Sequence, residues 1–117
     1  MIASINKYTY GLEIRISGRL DSVTSPVALS QLQVLPQPIG KLLVFNLEGL
    51  DYVSSAGLRV ILGLAKRAKL DSTVKLVMTN VGPYIYDVFV TSGCDALFDM
   101  VDAFDYAALG EKIVEAA

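Results

Sequence analysis

The segment Leu42-Leu43-Val44-Phe45 is a continuous apolar run, opened by Lys41 and closed by Asn46. A strand that is buried on one face alternates apolar and polar residues, whereas a strand buried on both faces is apolar throughout. The later segment Val74-Lys75-Leu76-Val77-Met78 has the same character. We therefore predict two central strands of a parallel sheet, which is typical of α/β folds.

The residues between these runs predict the clearest helix of the chain, from Ser55 to about Leu70. Its apolar residues recur every three or four positions, and a polar stripe lies opposite them. A strand, a helix and a second strand in this order form a right-handed crossover, so the helices gather on one side of the sheet. The apolar positions of this helix are Leu58, Ile61, Leu62 and Ala65.

The residues before the central strands predict an antiparallel pair at one edge of the sheet. Apolar residues alternate weakly from Ile2 to Tyr10 and cleanly from Leu12 to Ser17. A turn-prone cluster from Gly18 to Ser22 follows. A short helix then begins at Thr24-Ser25-Pro26 and ends before Pro36. Its apolar positions are Val27, Leu29, Leu32 and Leu35.

Beyond the second central strand we predict a helix from Pro83 or Tyr84 to Thr91, a short edge strand at 98–101, and a terminal helix from about Tyr106 to Val114. The expected fold is a small mixed sheet, mostly parallel in its core with an N-terminal antiparallel strand. Its helices lie on one face, and the other face is partly open. No repeat or linker interrupts the pattern, so we expect residues 1–117 to form a single domain.

Composition narrows the functions open to this chain. It has no His and one Cys, which excludes the usual zinc sites, Ser-His and Cys-His dyads and an internal disulfide. Its net charge of −2 gives no general attraction to nucleic acid. The start lacks the apolar stretch of a secretory signal, and the sequence lacks an apolar run long enough for a membrane-spanning helix. We expect a cytoplasmic protein with no catalytic residues, metal or cofactor.

The connection from Leu50 to Arg59 is the most informative segment for function. Ser54 is placed to cap the predicted helix through its hydroxyl. The next three residues, Ser55-Ala56-Gly57, have small side chains and no acid, which leaves this turn approachable. A phosphate on Ser55 would meet the positive end of the helix dipole. Two serines that only cap the helix are the alternative interpretation.

The stretch from Asp51 to Leu62 resembles the signature of the bacterial anti-sigma factor antagonists. These belong to the STAS family, named for sulfate transporters and anti-sigma factor antagonists. Three further segments resemble the family in the same order, so the likeness covers nearly the whole chain. They are Gly18-Arg19-Leu20-Asp21, Val44-Phe45-Asn46-Leu47 and Leu76-Val77-Met78-Thr79-Asn80-Val81.

The resemblance implies that a serine at the helix start is phosphorylated by an anti-sigma factor that is itself a serine kinase. Aligned on Gly57-Leu58, that serine is Ser55. Ser54, which stands where the family often has Asp, is the second candidate. Asp21 matches the acid of the family's turn beside the serine. Arg59 departs from the family, which often has Gly there.

The predicted function is that of an anti-sigma factor antagonist, which is not an enzyme. Unphosphorylated, it would bind the anti-sigma factor and so release a sigma factor for transcription, and a serine phosphatase would reset it. An unphosphorylated scaffold within a transporter or signalling complex is the alternative. Genes for a kinase or for transporter subunits beside this one would distinguish the two. The predicted partner contacts are Asp21, Ser22, Ser54, Ala56, Gly57, Leu58 and Arg59.

Overall fold

The fold is a mixed five-stranded sheet beside a small second sheet. A computed structural model describes residues 2–32, 35–36 and 38–113. The strands within these residues are β1 (Ala3–Tyr8), β2 (Gly11–Ile16), β3 (Gly18–Leu20), β4 (Leu42–Asn46), β5 (Leu50–Val53), β6 (Lys75–Thr79) and β7 (Asp99–Val101). The main sheet has the spatial order β1-β2-β4-β6-β7, in which β1 and β2 are antiparallel and all other neighbours are parallel. This confirms the predicted mixed sheet.

Strands β3 and β5 pair in parallel as a separate two-stranded sheet, which the sequence did not predict. The sequence pattern indicates a turn at the Gly18 cluster and a connection in the segment from Leu50. Each is only three or four residues long, so neither carries enough alternation to be recognised. Their pairing joins segments about thirty residues apart, and it brings the end of β3 beside the residues that follow β5.

Three helices pack on one face of the main sheet: α1 (Ser25–Leu32), α2 (Ser55–Ala68) and α3 (Pro83–Thr91). The positions of α2 and α3 agree with the predicted ones. In α1 the predicted apolar stripe is correct at Leu32 and wrong at Val27 and Leu29. Ala28 and Leu32 are fully buried, whereas Val27 and Leu29 are 46% and 43% exposed.

The main core lies between the sheet and these helices. Alternate residues of the central strands point into it, as the pleat of a strand requires. The ring of Phe45 meets that of Phe98 edge to face, with centroids 5.5 Å apart. The fully buried side chains of this layer include Leu12, Ile14, Leu43, Phe45, Met78, Ile61, Leu64 and Phe89.

The opposite face of the sheet is covered in part by the segment after β7. Val44 and Val77 pack there against Leu109. The predicted terminal helix is wrong: a short 3-10 helix runs from Tyr106 to Leu109, and Gly110 then adopts a positive φ of 78° that ends it. The chain next pairs with the end of β1, since the Ile113 N–H donates to the Lys7 carbonyl at 2.8 Å. Val114 lies outside the described residues.

A polar network anchors this covering segment to the sheet. The Glu13 carboxylate is almost fully buried and accepts hydrogen bonds from Tyr106, from Asn6 at 2.8 Å and from Arg15 at 3.1 Å. Burial acts to raise the pKa of Glu13, but these three donors outweigh it and hold the pKa below its usual value. Burial and the bond to Glu13 raise the pKa of Tyr106 to about 12. The Tyr106 hydroxyl also accepts from Asn46 at 2.8 Å.

Candidate functional site

Helix α2 begins immediately after β5, and Ser54 is its N-cap. The backbone of Ser54 is extended, with φ −95° and ψ 177°, and its hydroxyl accepts the N–H of Gly57 at 3.4 Å. Its own N–H donates to the Leu20 carbonyl at 2.9 Å. Ser54 is therefore engaged in starting the helix and in joining it to β3.

Ser55 is the first residue of α2 and is exposed. Within the described part of the chain, no hydrogen bond engages its hydroxyl. The first turn of α2 contains no acid. Two adjacent serines thus occupy different environments: the hydroxyl of Ser54 caps the helix, and that of Ser55 is open to an approaching molecule.

Gly57 allows the start of α2 to lie directly against β3. A Cβ atom built on Gly57 would stand 2.4 Å from the Leu20 carbonyl oxygen and 2.9 Å from side-chain atoms of Leu20 and Val53. Real Cβ atoms do not approach backbone oxygen so closely. The residue was predicted as a partner contact, but it is buried, and its direct role is to hold Ser55 beside the turn that follows β3.

That turn, residues 21–24, is shaped by the Asp21 carboxylate. One oxygen of Asp21 accepts the N–H groups of Thr24 and Val23, both at 3.0 Å, and the Thr24 hydroxyl at 3.2 Å. The bond from the Thr24 N–H is the main cause that lowers the pKa of Asp21. Asp21 therefore has the local turn-forming role, and the tip of the turn presents Ser22 and Val23. Val23 is 78% exposed.

A stack of one cation and two rings lies next to the turn. The Arg19 guanidinium carbon is 4.1 Å from the centroid of the Tyr52 ring, and its Nε is 3.6 Å from an oxygen of Asp21. The Tyr52 ring stacks on Tyr84 of α3, with centroids 6.3 Å apart and planes 18° apart. Tyr84 is 52% exposed. The stack joins β3, β5 and α3 into one surface.

Sequence reasoning missed Arg19, Val23, Tyr52 and Tyr84 as site residues. The available signal was that Val23, Tyr52 and Tyr84 lie in predicted turns or helix starts, where side chains are expected to be exposed. No pattern in the sequence indicates that these positions lie close together. They meet because β3 pairs with β5. We refer to Arg19, Asp21, Ser22, Val23, Tyr52, Ser55, Arg59 and Tyr84 as the α2-start surface.

The remaining predicted partner contacts differ in how exposed they are. Arg59 is exposed and lies one helical turn after Ser55, so both side chains are on one face of α2. Ala56 and Leu58 are half-buried, and Leu58 packs against the main core. Leu58 thus contributes more to the fold than to the α2-start surface.

The described residues contain no group of three or more His, Cys, Asp or Glu side chains that could hold a metal ion. Nor does any helix among them have the length and apolar character to span a membrane. What the α2-start surface offers is an accessible hydroxyl, two exposed apolar or aromatic side chains and fixed charges of both signs. Exposed aromatic side chains and arginine are typical of surfaces that other proteins recognise.

Comparison with known sequences gives one family. The model of the STAS domain matches residues 4–107. BtrV of Bordetella bronchiseptica, a proposed anti-sigma factor antagonist, is 38% identical over 69 residues. That alignment covers 59% of this chain and 59% of BtrV, so the chain spans little more than half the length of this relative.

Solved structures show the same fold. The anti-sigma factor antagonist SpoIIAA of Bacillus, in its unphosphorylated form, superposes with a TM-score of 0.71 at 22% identity, covering 91% of each chain. An anti-sigma factor antagonist from Mycobacterium paratuberculosis superposes with a TM-score of 0.73 at 18% identity, covering 93% of each chain. SpoIIAA has also been solved in a phosphorylated form.

Proposed function

The chain belongs to the STAS domain family, and on that premise we propose that it is an anti-sigma factor antagonist switched by phosphorylation of Ser55. One observation carries the proposal. Of the two serines at the start of α2, Ser54 uses its hydroxyl as the helix cap, whereas Ser55 is exposed and its hydroxyl has no hydrogen-bond partner among the described residues. The likeness to BtrV supports the partner class.

In the unphosphorylated state, the α2-start surface binds an anti-sigma factor and thereby releases its sigma factor. Val23 and Tyr84 supply exposed apolar area on this surface, and Tyr is among the residue types that contribute most of the binding energy at protein interfaces. The charges of Arg19, Asp21 and Arg59 orient the encounter. Because sigma factors act on RNA polymerase, this function places the chain in the cytoplasm.

The switch reaction is catalysed by the partner. The Ser55 oxygen attacks the γ-phosphorus of ATP, a P–O bond to ADP breaks, and the hydroxyl proton passes to a base of the kinase. This chain supplies only the acceptor hydroxyl and is not the enzyme. A phosphate at this position would add about −1.5 to −2 charges to the surface. A serine phosphatase would remove it by hydrolysis.

The function is tested by adding the purified chain to a complex of sigma factor and anti-sigma factor encoded near its gene. Gel filtration should show release of the sigma factor and a new complex that contains the chain. If the chain forms a complex with transporter or signalling subunits instead, and takes no phosphate, the scaffold function is correct and the proposal fails.

A matched pair of tyrosines on α3 tests where the partner binds. Tyr84 and Tyr86 are both exposed, at 52% and 46%, but only Tyr84 stacks on Tyr52. Tyr84→Ala should weaken partner binding about tenfold or more, as expected for an aromatic anchor. Tyr86→Ala, on the side of α3 towards β7, should leave the affinity within about twofold. Equal losses in the two variants, measured by calorimetry, would contradict the proposed surface.

A further inference from the structure

Arg59 is the exposed cation on the same face of α2 as Ser55, four residues later. Side chains four residues apart on a helix are neighbours, with Cβ atoms about 5–6 Å apart. No carboxylate among the described residues forms an ion pair with Arg59. The guanidinium is therefore available to a charge that arrives nearby.

The other charged groups around the start of α2 are already engaged or lie on other elements. Arg19 is held by Asp21 at 3.6 Å and by the Tyr52 ring at 4.1 Å. The first turn of α2 has no acid that would compete for Arg59. The charged residues on the elements that adjoin α2 are Asp51 on β5, Arg19 and Asp21 on β3 and its turn, and Asp87 on α3, and none of these acids forms an ion pair with Arg59.

From this arrangement we infer that Arg59 is the internal counter-ion of phosphorylated Ser55. The inference rests on the proposed function. A phosphate on the first residue of α2 has two favourable partners, the free N–H groups of the helix start and the guanidinium one turn along. Among the cations of α2, Arg59 is the one within reach, since Lys66 is eleven residues from Ser55, about 16 Å along the axis.

Phosphorylation of Ser55 therefore changes the charge that the partner meets at two positions, 55 and 59. In the unphosphorylated state Arg59 is exposed and offered to the partner. In the phosphorylated state its guanidinium is drawn to the phosphate, so the partner meets a new anion and loses a cation. With Gly at position 59, phosphorylation would add an anion but withdraw no cation from the partner. Arg59 therefore enlarges the change in charge that phosphorylation causes in this chain.

The test is the second ionisation of phosphoserine, followed by phosphorus NMR. Phosphoserine is installed at position 55 during synthesis by stop-codon suppression, in the otherwise unchanged chain, so no kinase is needed. A neighbouring cation favours the dianion and lowers the titration midpoint. Arg59→Gln should raise the midpoint by about 0.3 pH units, which corresponds to the usual strength of such a helical pair.

Two further variants control for general charge and for the cation itself. Lys66→Gln removes the same charge from the same helix and should move the midpoint by less than about 0.1 pH units, because the distance exceeds the screening length. Arg59→Lys keeps a cation at this position, so its titration midpoint should stay close to that of the parent. In 1 M salt the difference between the parent and Arg59→Gln should shrink.

Equal midpoints for the parent and Arg59→Gln, or equal shifts for Arg59→Gln and Lys66→Gln, would overturn the inference. Neither result bears on whether a kinase modifies Ser55. Conversely, if no anti-sigma factor phosphorylates or binds the chain, the proposed function fails, while the titration still reports whether Arg59 pairs with a phosphate at position 55.

Discussion

Replacing Gly57 by Ala is expected to lower the free energy of unfolding by about 2 kcal/mol, although Ala is the better helix former. The added methyl group would stand 2.4 Å from the Leu20 carbonyl oxygen. That atom belongs to the backbone, so no side-chain rotation relieves the clash. The start of α2 must move away from β3, at a cost of about 3 kcal/mol that exceeds a helix-propensity gain of about 1 kcal/mol. The melting temperature should fall by about 8 °C.

Gly63→Ala is the matched control, because it makes the same change in the same helix. A Cβ on Gly63 meets no atom within 4 Å, and Gly63 is exposed. This variant should gain about 0.5–1 kcal/mol from helix propensity alone. If thermal unfolding shows that both variants are stabilised, the close contact between α2 and β3 is not what holds the α2-start surface together.

The second large effect concerns partner binding. Ser55→Asp should weaken binding to the anti-sigma factor by about a hundredfold, since a carboxylate in a packed interface costs several kcal/mol and a helical pair with Arg59 offsets only about 0.2–0.5 kcal/mol of it. An acid in the first turn of a helix is favourable, by about 0.3–1 kcal/mol, so the variant itself should be at least as stable as the parent. A loss of affinity with unchanged stability separates a contact effect from a folding defect.

Ser72→Asp controls for net charge. Ser72 is exposed in the loop after α2, at the opposite end of that helix from Ser55. Adding the same charge there should leave the affinity within about twofold. If calorimetry gives Ser55→Asp the affinity of the parent, the phosphorylation switch is wrong even where the chain binds the partner.

Local pattern was sufficient for the elements whose apolar residues follow one regular pattern along their length. Strands β4 and β6 are buried on both faces and read as continuous apolar runs. Helix α2 carries a regular apolar stripe and has a serine cap at its start. The alternation of apolar and polar residues in β2 predicts a strand, although its polar residue Glu13 is almost fully buried. In each case the sequence alone contains the physical cause of the structure.

The errors arise where long-range contacts decide the local structure. The pairing of β3 with β5 depends on segments about thirty residues apart. The segment from Tyr106 reads as helical, but Tyr106 and Leu109 are held against the second face of the sheet, and Gly110 then turns the chain back towards β1. In α1 the larger apolar residues Val27 and Leu29 face outward, whereas Ala28 and Leu32 are fully buried.

The candidate site shows the same difference between residues that a local sequence pattern predicts and residues that only long-range contacts bring together. The segment from Ser54 to Arg59 is contiguous, so its residues could be named from the sequence and the family resemblance. Tyr84 is about thirty residues away and reaches the site only through its stack on Tyr52. The local turn-forming role of Asp21 was one of two open interpretations, and the hydrogen bonds to Val23 and Thr24 decide it. Whether Asp21 also contacts the partner stays a prediction.

The identity of the acceptor hydroxyl is tested most directly by locating the phosphate. The parent, Ser54→Ala and Ser55→Ala are each incubated with the anti-sigma factor kinase and magnesium ATP, and the modified residue is mapped by mass spectrometry. Ser54→Ala should lose about 1 kcal/mol of capping energy and still carry phosphate on Ser55. Ser55→Ala should remain folded, because Ser54 keeps the cap, and should carry none. Phosphate that persists in Ser55→Ala and vanishes in Ser54→Ala would contradict the account.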